Sequence, residues 1–350
     1  MSAVTALEPQ RRSAKDYASD QEVRWCPGCG DYAILKSVQR TLAELEADPA
    51  QTVFISGIGC SSRFPYYMAT YGFHTIHGRA PAIATGVKLA NPDLDVWVVT
   101  GDGDGLSIGG NHLLHLLRRD VDLQLLLFNN EIYGLTKGQA SPTSRIGTRS
   151  PSTPGGSLDQ PVSATRFALG AGGSFVARTI DTDQKRMPEI LKRARAHPGT
   201  AMVEILQNCI VYNDGVFDAF TSRERAPETQ LHLEHGQPLI FGAERDKGLR
   251  LPPGSLRPEI VSLAEVPESE LLVHDETDPL LANLLASLEP PFPIALGVLY
   301  AAPREETWER RQLAAIEAAS GRAAPGPIQG DLDALLRSGA TWSVEPEEEA

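Results

Sequence analysis

Apolar residues at Ile34, Leu35, Val38, Leu42 and Leu45 recur at helical spacing and predict a helix that begins near Asp31. The period then changes. Thr52–Ser56 is a short β-rich run that stops at the glycine-rich loop Gly57-Ile58-Gly59-Cys60-Ser61-Ser62. Helical spacing returns over Ala80–Ala90. Val96–Thr100 and Leu123–Phe128 are nearly continuous apolar runs, the pattern of strands covered on both faces of a parallel sheet. The first ends in Gly101-Asp102-Gly103-Asp104-Gly105 and the second in Asn129-Asn130, with a helical stretch, roughly Ile108–Arg119, between them. Strand, helix, strand at this spacing is a right-handed βαβ unit. Residues 134–161, rich in Gly, Ser, Thr and Pro, read as a long functional loop. Thr182–Ala196 is helical in pattern, with Pro188 as an internal breaker or an early-turn residue, and Ala201–Leu206 is a further strand with Cys209 just beyond it.

The pattern therefore predicts the α/β class: an open, mainly parallel sheet flanked by helices over residues 22–225. Residues 1–21 read as a mobile N-terminal arm. After residue 225 prolines and acidic residues become frequent and the periodicity shortens. The stretch 226–350 reads as a C-terminal extension with a few short helices, such as Thr307–Ala319. No internal repeat is present.

Cys60, Asp102, Asn130 and Cys209 each follow a predicted strand by a few residues. In an open parallel sheet the carboxyl ends of the strands share one edge, and ligands bind there at a switch in strand order. Residues distant in sequence thus converge, and that edge would carry two thiols, a carboxylate and an amide.

Composition narrows the picture. The 350 residues carry a net charge of −13, from 32 basic and 45 acidic side chains, which argues against a general nucleic-acid binder. No apolar run approaches the ~18 residues of a membrane span. The first 20 residues lack the apolar stretch of a secretory signal, so a cytoplasmic location is expected. The acidic tail Glu345–Glu349 reads as solvated. Cysteine occurs four times, at 26, 29, 60 and 209. In a reducing compartment a disulfide framework is not expected, and four is the number of thiolates that an iron–sulfur cluster or a structural zinc requires.

Glycines in Gly101–Gly105 let backbone approach a diphosphate, and the helix behind them presents free N–H groups to the anion. A carboxylate at the strand end, Asp102, can hold Mg²⁺, a hard ion often shared with phosphates. The Asn130 amide oxygen and the Ile132 carbonyl, 28 and 30 positions on, could complete the protein's share of an octahedron. Gly-Asp-Gly alone is usually a tight turn. Paired with Asn-Asn across one crossover, it resembles the cofactor motif of thiamine-diphosphate enzymes. That resemblance implies Asp102, Asn130 and Ile132 as Mg²⁺ ligands, with Gly103, Asp104 and Gly134 lining the diphosphate.

The remaining motifs narrow the family. Cys26-Pro-Gly-Cys29-Gly, Gly57-Ile-Gly-Cys60-Ser-Ser, His77-Gly-Arg79-Ala and Asn129-Asn-Glu-Ile-Tyr-Gly-Leu-Thr-Lys137-Gly-Gln139 stand in this order. Together, over about residues 22–220, they resemble the β subunit of 2-oxoacid:ferredoxin oxidoreductases. The resemblance implies a thiamine-diphosphate-binding fold and one [4Fe–4S] cluster held by Cys26, Cys29, Cys60 and Cys209. It implies thiamine contacts from Ile58, Gly59, Cys60, Ser61, His77 and Leu135. It also implies CoA-dependent oxidative decarboxylation of a 2-oxoacid, with electrons passed through the cluster to ferredoxin, or the reverse reaction. No second pyrimidine-binding domain is found in the chain. The resemblance therefore implies a separate α subunit that supplies the activating glutamate, in an αβ or (αβ)₂ assembly.

Lys137, with Arg63 near Cys60, could pair the second carboxylate of 2-oxoglutarate, since a buried unpaired charge is costly. This favours 2-oxoglutarate over pyruvate. Competing readings remain. Cys-x-x-Cys is commonly half of a zinc site, so a non-catalytic zinc-stabilised partner protein is one alternative. A carboligase or simple decarboxylase is another, but it leaves the cysteines unexplained. Lys137 also reads as an exposed loop lysine, and His77 as hydrogen-bonded scaffold.

Overall fold

The computed structural model describes residues 12–320, 334 and 336–339. The first eleven residues of the arm and the acidic tail Glu345–Glu349 lie outside the described residues.

The strands are β1 (Thr52–Ser56), β2 (Tyr71–His74), β3 (Asp95–Gly101), β4 (Leu123–Asn129), β5 (Ile132–Tyr133), β6 (Gln139–Ala140), β7 (Phe175–Ile180), β8 (Thr200–Leu206), β9 (Gln230–His232), β10 (Ile240–Phe241), β11 (Lys247–Arg250), β12 (Glu259–Ser262) and β13 (Ile294–Ala301). Among the described residues the main sheet has eight strands in the order β2-β1-β3-β4-β8-β7-β13-β9. Its pairings are parallel except that of β13 with β7. The helices that cover it include α1 (Asp31–Glu44), α2 (Ala80–Ala90), α3 (Gly110–Arg119), α4 (Ala164–Gly170) and α5 (Met187–Ala196).

Burial on both faces explains the continuous apolar runs. Trp97, Val99, Leu126 and Phe128 point to one side and pack with Ile34, Val38, Leu42 and Leu191 of α1 and α5. Val96, Val98, Leu125 and Leu127 point to the other and pack with Ala84, Leu113, Leu117 and Ala168 of α2, α3 and α4. Each strand thus feeds alternate residues into two separate cores.

Several elements depart from the sequence pattern. The arm, expected to be mobile, is docked where it is described. Tyr17 is fully buried and donates its hydroxyl to the Ala47 carbonyl at 2.5 Å, and Ala18 bridges Met68. The helix expected from Ile108 begins at Gly110, behind a π turn at Asp104–Ile108. Pro188 sits in the first turn of α5, where its missing N–H costs nothing. Beyond residue 225 the chain does more than form short helices. β13 enters the main sheet beside β7, and β9 pairs with β13. β10, β11 and β12 form a small antiparallel sheet. Leu231, Leu249, Leu285 and Leu299 share a third core there with Phe241.

The chain contacts define one compact unit to Glu309 and a second from Arg310. The second contains, among its described residues, most of the helix Trp308–Ser320. No helix among the described residues is long and apolar enough to cross a membrane.

Candidate functional site

The direction of travel across the sheet reverses between β1 and β3: from β1 the chain moves outward to β2, then returns to place β3 on the other flank. A crevice at the carboxyl ends of β1 and β3 follows from that reversal. The loop leaving β1 and the loop leaving β3 meet there through Asp104. Its Oδ1 accepts the Ile58 N–H at 3.0 Å and the Gly78 N–H at 2.7 Å. Its Oδ2 accepts from the Thr100 hydroxyl at 2.7 Å. His77 Nδ1 lies 2.7 Å from the same Oδ1, though off the hydrogen-bonding direction. Asp104 therefore ties three loops together with its carboxylate. Gly57 makes this possible, because a Cβ there would sit 1.9 Å from Asp104 Oδ2. Gly103 packs under Tyr133, whose hydroxyl donates to the Gly103 carbonyl at 3.1 Å.

Asp102 is 2% exposed, and burial pushes its carboxyl up to about 6 against the hydrogen bonds it accepts. The Ser141 and Thr143 hydroxyls both donate to Oδ2, each at 2.6 Å. No side chain donates to Oδ1 among the described contacts. Backbone N–H groups at 102 and 103 also act on the carboxylate, whose oxygens are hard donors of the kind Mg²⁺ prefers, and with Oδ1 clear of side-chain donors the residues fit that ion. Asn130 lies at the end of β4. Its Oδ1 accepts the Ile132 N–H at 3.2 Å, and its Nδ2 donates to Gln207 Oε1 at 2.8 Å. Ile132 is held in the β5–β6 hairpin, paired with Ala140.

A buried polar chain backs this site. Thr143 lies 3.0 Å from Asn129 Oδ1, and Asn129 Nδ2 donates to Glu204 Oε1 at 2.8 Å. Arg178 Nε donates to Glu204 Oε2 at 2.7 Å, and its Nη2 donates to Thr165 at 2.7 Å. Arg178 and Glu204 are register partners on β7 and β8. Sequence reasoning missed Thr143, Glu204, Arg178 and Gln207. Charged residues inside apolar strands were the available signal for Arg178 and Glu204.

All four cysteines are free thiols. Cys60 Sγ and Cys209 Sγ flank Gly134, each 3.5 Å from where its Cβ would be, so the backbone at Gly134 lies against both sulfurs. The turn Cys26–Cys29 is closed by the Cys29 N–H to the Cys26 carbonyl at 3.0 Å, with Gly28 at φ +85°. Burial, with the Asp31 carboxylate second, pushes the Cys60 thiol up to about 12, and the same two causes raise Cys29. The Cys60 and Cys209 thiols add to the rise at Cys29, and Cys209 and Cys26 add to that at Cys60. Among the described residues no three His, Cys, Asp or Glu side chains close on a single point as a lone metal ion requires. Four soft thiols, with no disulfide between any of them, fit a polynuclear cluster in chemistry.

One cavity brings most of the predicted residues together. It is lined by Ile58, Gly59, Cys60, Ser61 and His77 from the loops after β1 and β2, by Asp102, Gly103 and Asp104 after β3, and by Asn130, Ile132, Gly134 and Leu135 after β4. Asp31 also lines it, with both carboxyl oxygens buried and unpartnered, and burial pushes its carboxyl up to about 7. Sequence reasoning treated Asp31 as a helix start. Arg63 lines an adjoining cleft of about 530 Å³, with Arg24, Ile58, Gly59 and Leu135. Lys137 lines neither. It is exposed at the turn after Leu135-Thr136, with φ +77°.

Comparison with known proteins adds an independent line. Residues 57–205 match the family model of the thiamine pyrophosphate enzyme C-terminal TPP-binding domain. Over 345 residues the chain is 49% identical to a 2-oxoglutarate oxidoreductase subunit KorB of Mycobacterium tuberculosis, covering 97% of this chain and 90% of that one. Over 203 residues it is 49% identical to the β subunit of a 2-oxoacid:ferredoxin oxidoreductase of Aeropyrum pernix, covering 58% of this chain and 64% of the relative. Among solved structures it resembles a 2-oxoglutarate:ferredoxin oxidoreductase from Magnetococcus marinus with 2-oxoglutarate, coenzyme A and succinyl-CoA bound. The TM-score is 0.73 at 34% identity, over 93% of this chain and 96% of that one.

Proposed function

The chain belongs to the β subunits of the 2-oxoacid:ferredoxin oxidoreductases, and from that membership we propose that it binds thiamine diphosphate and serves the CoA-dependent oxidative decarboxylation of 2-oxoglutarate to succinyl-CoA and CO₂. The single observation that carries the reading is the convergence of Asp102, Asn130, Gly134 and Cys60 on one cavity at the strand-order reversal.

When bound, thiamine diphosphate supplies the electron sink for loss of CO₂, and a [4Fe–4S] cluster supplies one-electron steps toward ferredoxin. The chain's own residues would hold and orient these groups. Asp102, Asn130 and the Ile132 carbonyl would hold Mg²⁺, with Gly103 and Gly134 beside the diphosphate. The Ser141 and Thr143 hydroxyls fix Asp102, leaving Oδ1 for the ion. Cys26, Cys29, Cys60 and Cys209 would hold the cluster, with the Gly134 backbone beside the Cys60 and Cys209 sulfurs. Ile58, Gly59, Ser61, Leu135 and His77 would line the thiamine ring, with His77 Nδ1 beside the Asp104 carboxylate. Asp104's carboxylate is occupied by backbone N–H groups, so its contribution to a diphosphate site is to shape the loops. Arg63 and Lys137 supply positive charge beside the cavity for a second substrate carboxylate. No step requires a glutamate from this chain. An α subunit would bring the pyrimidine-side glutamate, in an αβ or (αβ)₂ assembly in the cytoplasm.

The test is anaerobic viologen reduction by the chain co-expressed with its α partner, with thiamine diphosphate, Mg²⁺ and coenzyme A. Turnover of 2-oxoglutarate is expected, with pyruvate much slower. Turnover of pyruvate alone would discard the substrate assignment and keep the chemistry. Colourless, zinc-containing protein without turnover would favour the zinc-stabilised partner reading.

A further inference from the structure

Gln207 stands one residue beyond β8, and its N–H donates to the Asn129 carbonyl at 2.8 Å, extending the β4–β8 ladder to the crevice. It is 1% exposed. Its side-chain amide spans two sets of residues that the proposed function uses separately. Oε1 accepts from Asn130 Nδ2 at 2.8 Å. Nε2 donates to Cys29 Sγ at 3.3 Å and to the Asn208 carbonyl at 2.5 Å. The orientation is fixed at both ends. The Asn208 carbonyl can only accept, and Asn130 must offer its NH₂ because its Oδ1 takes the Ile132 N–H.

We propose that Gln207 is a positioning residue that couples the cation site to the iron–sulfur site. Toward Asn130, which lines the cavity with Asp102, it holds the NH₂ end of the amide and so fixes which way the amide is turned. Toward Cys29, it directs an N–H dipole at the sulfur, which stabilises an added electron on a cluster bound there. One side chain then sets both the grip on the cation and the ease of reduction of the cluster. The inference rests on the Mg²⁺ and cluster assignments of the proposed function.

The test uses the full complex with its α subunit and two readouts. The cluster's midpoint potential is followed by EPR during an anaerobic redox titration. Cation binding is followed by Mn²⁺ EPR in the presence of thiamine diphosphate. Gln207→Leu is expected to shift the potential to more negative values and to weaken Mn²⁺ binding about 10- to 100-fold. Gln207→Glu keeps an acceptor for Asn130 and loses the donor toward sulfur. It is expected to shift the potential in the same direction while retaining most of the Mn²⁺ affinity. If neither variant folds, ¹⁵N-glutamine labelling of the unmutated complex reads the same contact, as a weak hyperfine coupling to the reduced cluster. An unshifted potential in Gln207→Leu, or no such coupling, overturns the inference and leaves the function intact. A wild-type complex with no reduced-cluster signal, or Mn²⁺ binding indifferent to Asp102→Asn, overturns the site assignments and the inference together.

Discussion

Thr143 carries a single hydroxyl proton and faces two acceptors, Asp102 Oδ2 at 2.6 Å and Asn129 Oδ1 at 3.0 Å. The shorter, charge-assisted bond to Asp102 takes the proton. Thr143→Val removes it without changing side-chain volume. It is expected to raise the Mg²⁺ concentration needed for half-saturation with thiamine diphosphate about 10- to 100-fold, as outer-shell changes do, and Thr143→Ser should restore it. Tryptophan-fluorescence titration of the complex measures this. Lys137 permits a cleaner substitution than most loop residues. Its φ of +77° favours glycine, so Lys137→Gly should fold without penalty. A loss of kcat/KM for 2-oxoglutarate several-fold larger than for pyruvate is expected, and equal losses would remove Lys137 from substrate selection. At this scale the sequence shows the motif residues themselves. It does not show Thr143 or Gln207, because a threonine in a Ser-Pro-Thr loop and a glutamine after a strand have no pattern until their partners are placed.

At the level of elements, β7 and β8 are locked by Arg178 and Glu204 inside otherwise apolar strands. Removing one charge strands the other where water cannot reach it. Arg178→Met alone is expected to destabilise by about 3–5 kcal/mol, and combining it with Glu204→Leu should recover much of that loss in urea unfolding. The double variant should still bind Mg²⁺ more weakly, because Asn129 loses its Glu204 anchor. Strands β1, β3, β4 and β8 were legible because a strand buried on both faces needs an unbroken apolar run. β13 was not legible as part of the sheet. Its run Ile294–Ala301 follows Pro-rich sequence, and nothing local tells that its antiparallel partner β7 lies more than a hundred residues earlier. The π turn at Asp104–Ile108 was equally hidden. It forms where Asp104 turns inward to bind Ile58 and Gly78, contacts that exist only once β1 and β3 are adjacent.

Across the main unit, burial lowers the imidazoles of His197, His232 and His274 below their ordinary value of 6.5. His274 is 1% exposed and donates Nε2–H to the Val298 carbonyl at 2.9 Å, which ties it to β13. With folded values depressed, the unfolded chain takes up protons first. Stability contributed by the neutral rings is full above pH 6.5 and is lost as pH falls below it, toward the lowered folded values. Thermal unfolding between pH 5 and 8 is expected to show Tm falling on the acid side, with a shallower fall in His274→Gln. An unchanged slope would remove His274 from that dependence. By itself the sequence determined the class of the fold, the buried strands β1, β3, β4 and β8 and the identity of most cavity residues, because apolar period and turn chemistry are local properties of a chain. β7, buried along its whole length, was not legible, with Arg178 and Thr179 interrupting its apolar run. Tertiary structure alone decided which strands are neighbours, that the stretch after residue 225 completes the sheet, that Lys137 stands outside the cavity, and that Gln207 joins Asn130 to Cys29. Those depend on distances between residues far apart in the chain, which packing sets and local pattern does not encode.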